Sequence, residues 1–434
     1  MPMGKQLARI ASVFWGQVIV ALAAFAGIRT YTELMDKVDF GQAMLLAGLI
    51  ALLDSIILMS LNQTLMSRCG PVECKETRRH ISIGLALYVV RMVLVVIPVA
   101  CLAVMAGLNS FWALLLLSVG IYLISEALKF SALSLIVLDR RYGIYSFWTA
   151  GEALITLAGI SLSLWFWRAD AIGFVLGQTA ARAVNTALFM LLLAPGHLRS
   201  VDLKLAQKEL APALAYGRPV ALMGPLGWIS TYLDRYILGA FLGTGATGAY
   251  VAVTGLVARP FALTTSVLSN YFRPLYFQGS LASEGAKGCY RILRTWLLAA
   301  LGIGLMGVLA FWVLGDFIVR IMLAADFREG AHLLLVLFGL SQTFAIATHA
   351  ADNAMLALRC SGRLLQIQIL LSIGTLVLIP VGIVSWGLVG GVIGRIFAEA
   401  LKLGVTTAIA VRLIKKMDGM AGVLDVDTAE GEEK

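Results

Sequence analysis

The sequence predicts an all-α polytopic membrane protein of about twelve transmembrane helices, and three observations carry that expectation. Hydrophobic residues make up 60% of the 434-residue chain and charged residues only 14%, with a mean hydropathy of +0.88. Soluble domains lie nearer half apolar and a quarter charged, and a soluble fold of this size has no way to hide so much apolar surface. The apolar residues come in runs of about twenty, the length a helix needs to cross ~30 Å of hydrocarbon. Lys and Arg gather between alternate runs, as they do in the cytoplasmic loops of inserted proteins. The net charge of +9 therefore reflects topology, and neither a soluble binding role nor a nucleic-acid partner is expected.

Taken in order, the first span covers residues 7–28, behind Lys5 and Arg9. Its small residues Ala21, Ala23, Ala24 and Ala26 resemble a signal peptide, but eleven further spans make it a start-transfer helix that stays in place. The second span, 40–62, carries Asp54, and the third, 82–106, carries Arg91. Glu126 and Lys129 lie in the fourth, 110–137, Glu152 in the fifth, 144–167, and Arg182 in the sixth, 171–194. A polar interval follows. Its segment from Asp202 to Gly217 has apolar residues at helical spacing with Lys204 and Lys208 among them, which predicts an interfacial amphipathic helix.

The seventh span, 216–241, is interrupted by Pro219, Gly224 and Pro225 and ends near Asp234 and Arg235. The eighth, 247–272, contains Arg259 and Pro260, where the missing backbone donor can kink the helix. The ninth covers 292–314. His349 and Asp352, three residues apart and so on one face, lie in the tenth, 331–357. The eleventh, 364–385, is free of charge, and the twelfth, 389–412, carries Arg395, Glu399 and Lys402 at i, i+4 and i+7. The acidic tail at 417–434 is expected to be disordered.

Orientation follows from the basic residues. Five of the 34, namely Arg29, Lys37, Arg168, Arg320 and Arg328, fall on one side and seven lie within spans, leaving 22 on the other side. The richer side is the cytoplasmic one, so both termini are expected inside. Trp112, Trp165, Trp167, Trp312 and Trp386 fall at the outer ends of spans and Trp148 and Trp296 near inner ends, where indole rings prefer the interface. Cys69, Cys74, Cys289 and Cys360 map to cytoplasmic ends and Cys101 to a span, with no disulfide framework or zinc spacing.

The run from Leu34 to Gln63 can be laid on the run from Leu242 to Tyr271 at an offset of about 208, which sets Asn62 opposite Asn270. Six spans precede the polar interval and six follow. An even number makes the halves enter from the same side, so the repeat is parallel, about a pseudo-two-fold axis along the membrane normal. The expected domains are an N-terminal six-helix lobe at 1–196, a cytoplasmic linker at 197–215, a C-terminal lobe at 216–416 and the tail.

The segment from Thr231 to Tyr276 carries the most specific pattern. Asp234-Arg235 closes the seventh span, a Leu-Gly pair follows, Gly248-Ala249-Tyr250 opens the eighth and Pro274 succeeds it. Arg29 to Thr32 and Asp39 to Gly41 echo it in the first repeat. These stretches resemble Wzx-type polysaccharide transporters, relatives of the MATE multidrug exporters and the lipid II flippases. The resemblance implies a MATE-like fold whose two lobes open a central cavity alternately to either side of the inner membrane. The implied cargo is an oligosaccharide on undecaprenyl pyrophosphate, destined for O-antigen and lipopolysaccharide, capsule or exopolysaccharide. Polysaccharide polymerase and export machinery are the implied partners, beside the bilayer itself, and no cofactor or metal is called for.

A pyrophosphate cannot shed its hydration into hydrocarbon without replacement, and arginine's planar fork replaces it with paired hydrogen bonds. The candidates for head-group contact are Arg29, Arg91, Arg182, Arg235, Arg259 and Arg395, with Lys129 and Lys402 as point charges. Asp54, Glu126, Glu152 and Asp352 are candidates for ion coupling. Other readings stand beside these. Glu126 and Lys129 share a helix face and can neutralise one another, and the stripe at Arg395, Glu399 and Lys402 can line a cavity or lock the last span to its neighbours. Asp234 and Arg235 point about 100° apart, so Arg235 is assigned to substrate and Asp234 to an interhelical bond. An alternative function is a MATE-like, cation-coupled drug exporter with an acid-dominated cavity. An enzyme, such as a polymerase or glycosyltransferase, is not expected, since no interval is large enough for a catalytic domain.

Overall fold

The computed structural model describes residues 3–59, 65, 75–105, 110–139, 141–193, 223–276, 285–358 and 360–431. They form α1 (Met3–Leu34), α2 (Lys37–Asp54), α3 (Lys75–Met105), α4 (Ser110–Leu138), α5 (Tyr142–Phe166) and α6 (Ala171–Leu192). After them come α7 (Met223–Leu242), α8 (Thr244–Leu275), α9 (Gly285–Met322) and α10 (Ala331–Ala357). The last stretch, Ser361–Gly431, is two helices joined at Trp386 and Gly387, whose backbone angles are not helical. They are α11 (361–385) and α12 (388–431). Among the described residues, eight helical stretches are long and apolar enough to cross a membrane, the last of them holding both α11 and α12. The chain is an all-α, multi-pass membrane protein.

Helix starts follow local chemistry. Asp36 accepts a hydrogen bond from the Asp39 N–H at 2.7 Å to cap α2, and Asp170 accepts one from Gly173 at 2.9 Å to cap α6. Gly387 turns α11 into α12 at φ +59° and ψ −139°, a backbone conformation that only glycine adopts without strain. Across the turn, Gly382 of α11 and Gly390 of α12 face each other so closely that a Cβ on either would strike the other's carbonyl oxygen. Gly159 of α5 and Gly177 of α6 make the corresponding contact in the first half. Small residues of this kind let two helix backbones meet inside a membrane, where apolar burial drives nothing.

Contacts divide the chain into two units, Met1–Leu233 and Asp234–Lys434. In the first, α3 packs on α4, α1 and α6 on α5, and α4 and α2 on α6. In the second, α9 and α8 pack on α10, and α10 on the α11–α12 stretch. The α3–α4 and α9–α10 pairs occupy equivalent places in the two halves, as do the glycine-mediated α5–α6 and α11–α12 pairs. The division falls within α7 because its first turns are tied to α2. The Trp228 indole N–H donates to the Gly48 carbonyl at 2.6 Å, and Gly224 lies against the Ser55 carbonyl. Ser55–Met59 forms a π-helical turn continuing α2 just beyond Asp54. The expected linker at 197–215, its amphipathic helix and Pro219 lie outside the described residues.

One expectation needs amendment. Trp148 and Trp296 are core residues, not interfacial anchors: Trp148 packs edge-on against Phe189 at 5.0 Å, and Trp296 stacks on Phe272 at 5.3 Å. Position near a span's end predicts depth, whereas rotation about the helix axis decides what a ring touches. Gly224 and Pro225 fall in the first described turn of α7, and the residues before them in the expected span lie outside the described ones. α12 is drawn on to Gly431, through a stretch without proline.

Candidate functional site

Of the thirteen charges read within spans, six acids and seven bases, most sit in two clusters, one in each unit. In the first unit, Glu126 and Lys129 project from the same face of α4, Glu152 from α5 and Arg182 from α6. The Lys129 ammonium, 3% exposed, donates to Glu126 Oε1 at 2.8 Å and to Glu152 Oε1 at 2.7 Å. Arg182 Nη1 donates to Glu126 Oε1 at 3.2 Å and pairs closely with Glu152 Oε1. Its guanidinium lies 5.9 Å from the centroid of the Tyr122 ring. Two acids and two bases thus neutralise each other across three helices. One turn on, the Thr186 hydroxyl donates to the Ser125 carbonyl at 3.0 Å, holding α6 to α4. Asp54, half-buried on α2, interacts electrostatically with Glu126, Arg182 and Lys129.

In the second unit Asp234 of α7 is the acceptor for three donors. The Tyr250 hydroxyl of α8 donates to Oδ2 at 2.5 Å, Arg395 Nη1 of α12 pairs with the same oxygen, and the Arg235 N–H donates to Oδ1 at 2.8 Å. Arg395 lies 4.8 Å above the Phe338 ring of α10, so four helices meet at one ion pair. Its Nε is buried without a hydrogen-bond partner among the described residues. The interhelical bond expected of Asp234 is present. Farther along α12, Glu399 and Lys402 interact electrostatically with Asp352 of α10, and His349, one turn before it, interacts with Lys402. His349 itself is exposed.

The remaining candidates sit elsewhere. Arg29 pairs with Glu33 at 2.6 Å along α1, and Arg235 is half-buried. Arg91 on α3 and Arg259 on α8 are exposed, and they are the only exposed side chains among the thirteen. Sequence reasoning missed the aromatic members, Tyr122, Tyr250 and Phe338. Tyr250 belongs to the Gly-x-Tyr pattern, but nothing in the sequence names Asp234 as its acceptor.

The clusters resist change. Removing one partner of a buried pair leaves an uncompensated charge, at a cost of about 3–5 kcal/mol, although the intact pair adds little net stability over an apolar substitute. What they supply is register: each fixes the rotation of several helices about their axes. Fixing Glu126, Glu152 and Asp234 in this way also leaves the unit surfaces without those acids.

No protein-family model matches the sequence, and no curated protein matches it. Solved structures do. The lipid II flippase MurJ in an inward closed conformation aligns with a TM-score of 0.72 at 10% identity, over 94% of this chain and 87% of that one. An inward-facing multidrug resistance MATE family transporter of the MOP superfamily aligns at 0.58 and 12% identity, over 95% and 99%. A MOP superfamily transporter from Pyrococcus furiosus, described by the reverse polarity of its binding pocket, aligns at 0.57 and 10% identity, over 93% and 96%. The chain therefore has the two-lobed helical fold of the MOP-superfamily transporters. At these identities the likeness defines the fold.

Proposed function

We propose that this protein is a flippase that carries an undecaprenyl-pyrophosphate-linked oligosaccharide across the cytoplasmic membrane by alternating access, for surface polysaccharide assembly. The carrying observation is the distribution of charge. Glu126, Glu152 and Asp234 are each bound to a resident cation and Asp54, Asp352 and Glu399 are half-buried, whereas the exposed charges among the thirteen are Arg91 and Arg259. An exposed arginine inside an apolar helix is costly against lipid and favourable in a water-filled cavity that receives an anion. A drug exporter for organic cations needs the opposite balance, with acids as its exposed charges. The similarity to MurJ, a lipid II flippase, agrees with a lipid-linked cargo, and the Pyrococcus transporter illustrates that this fold accommodates pockets of differing polarity. In the proposed orientation both termini are cytoplasmic.

Arg91→Ala and Arg259→Ala, tested singly in cells that depend on this protein, are expected to lower glycan export about tenfold or more at unchanged protein level. That loss corresponds to one charge-assisted contact of about 1.5–3 kcal/mol. Wild-type export by both variants would remove the basis of the proposal.

A further inference from the structure

Beyond Ala258 the surface of α8 changes character. Up to Val257 the helix is buried nearly all round. From there on Arg259, Ala262, Ser266, Asn270 and Arg273 are exposed, while Phe261, Leu268 and Phe272 are buried. At 100° per residue, the five exposed positions fall within an arc of about 80°, and the three buried ones lie roughly opposite. The exposed face carries an arginine at each end, with Ala262, a hydroxyl and a carboxamide between them. It extends about 21 Å, some two-thirds of the hydrocarbon thickness. Val267 and Tyr271, also exposed, lie to one side of it, where an apolar surface suits lipid. A polar face of this length inside a membrane helix has to meet water or a polar ligand. The hydroxyls of Thr264 and Thr265 are returned to their own backbone at Pro260 and Phe261, whereas Asn270 Nδ2 lies 3.5 Å from Ser266 Oγ, too far for more than a weak bond.

We propose that this face of α8 is the track along which the polar head of the substrate moves, Arg273 and Arg259 serving as successive pyrophosphate contacts and Ser266 and Asn270 as sugar contacts between them. This rests on the flippase reading above and names residues that reading does not require. In the proposed orientation Arg273 stands at the cytoplasmic end and Arg259 near mid-membrane, so the pyrophosphate advances while the glycan slides over the intervening polar side chains. Asn offers both donor and acceptor and Ser likewise, which suits hydroxyl-rich sugars of either polarity.

The test uses full-length protein in lipid nanodiscs and three probes: undecaprenyl pyrophosphate, the same lipid bearing a disaccharide, and tetraphenylphosphonium, with binding read by native mass spectrometry. Wild type is expected to bind both pyrophosphates. Arg259→Ala should weaken both about tenfold, and Ser266→Ala/Asn270→Ala should weaken the glycosylated lipid about tenfold while leaving the bare lipid unchanged. All the substituted side chains are exposed, so folding is expected to survive, and an unchanged unfolding temperature checks that it does. If wild type binds the pyrophosphates and every variant matches it, the track is wrong and the flippase reading stands. If wild type binds tetraphenylphosphonium and neither pyrophosphate, the flippase reading itself fails.

Discussion

Asp234 and Arg235 show how far a single position can be read from sequence. Both interrupt an apolar run and both are expected to be buried or in a cavity, because lipid does not accept them. The division of labour between adjacent residues follows from the 100° turn between them. What the sequence does not contain is the rotation of α12, which brings Arg395 to Asp234. The same holds for Lys129 and Arg182, both bound to glutamates on neighbouring helices. If the Asp234–Arg395–Tyr250 cluster locks register, removing one member should hurt more than removing all three. Arg395→Met is expected to destabilise by about 3–5 kcal/mol, because Asp234, 5% exposed, then loses its cationic partner. Asp234→Leu/Arg395→Met/Tyr250→Phe is expected to recover most of that loss. Thermal unfolding in detergent separates the two outcomes, and equal losses would argue that the three residues do not act as a unit.

At the scale of elements, helix positions were legible because apolar runs, basic ends and capping aspartates are local signals. Expected spans 110–137, 144–167, 171–194 and 331–357 coincide with α4, α5, α6 and α10 to within a few residues. The helices' faces were less legible. Trp148 and Trp296 turn inward to Phe189 and Phe272, since a ring's neighbours depend on packing partners far away in sequence. The polar stripe on α8 was in principle visible, as Arg259, Ser266, Asn270 and Arg273 repeat near intervals of three, four and seven. Exposure is what distinguishes it from a buried polar seam. The reversal between α11 and α12 also has a local cause. Gly387→Ala places a Cβ in a region closed to L-residues and is expected to destabilise by about 1–3 kcal/mol, measurable as a lowered unfolding temperature. An unchanged temperature would mean the turn relaxes to another conformation.

For the whole molecule, composition alone settled the class, and the repeat of helix order and of glycine contacts in the two halves accounts for the likeness to MOP-superfamily structures at 10–12% identity. Topology is the first consequence open to test. Reporter fusions at Asp36 and at Arg168, in the short connections after α1 and α5, are expected to read as periplasmic, and one at Arg141 as cytoplasmic. Reversed readings would invert the proposed path along α8. The central claim, transport of a lipid-linked glycan, is tested most directly by deleting the gene and analysing undecaprenyl-linked intermediates by mass spectrometry together with the surface polysaccharide. The account predicts a complete lipid-linked repeat unit accumulating on the cytoplasmic side while surface polysaccharide is lost. Normal polysaccharide combined with raised sensitivity to cationic drugs would contradict it.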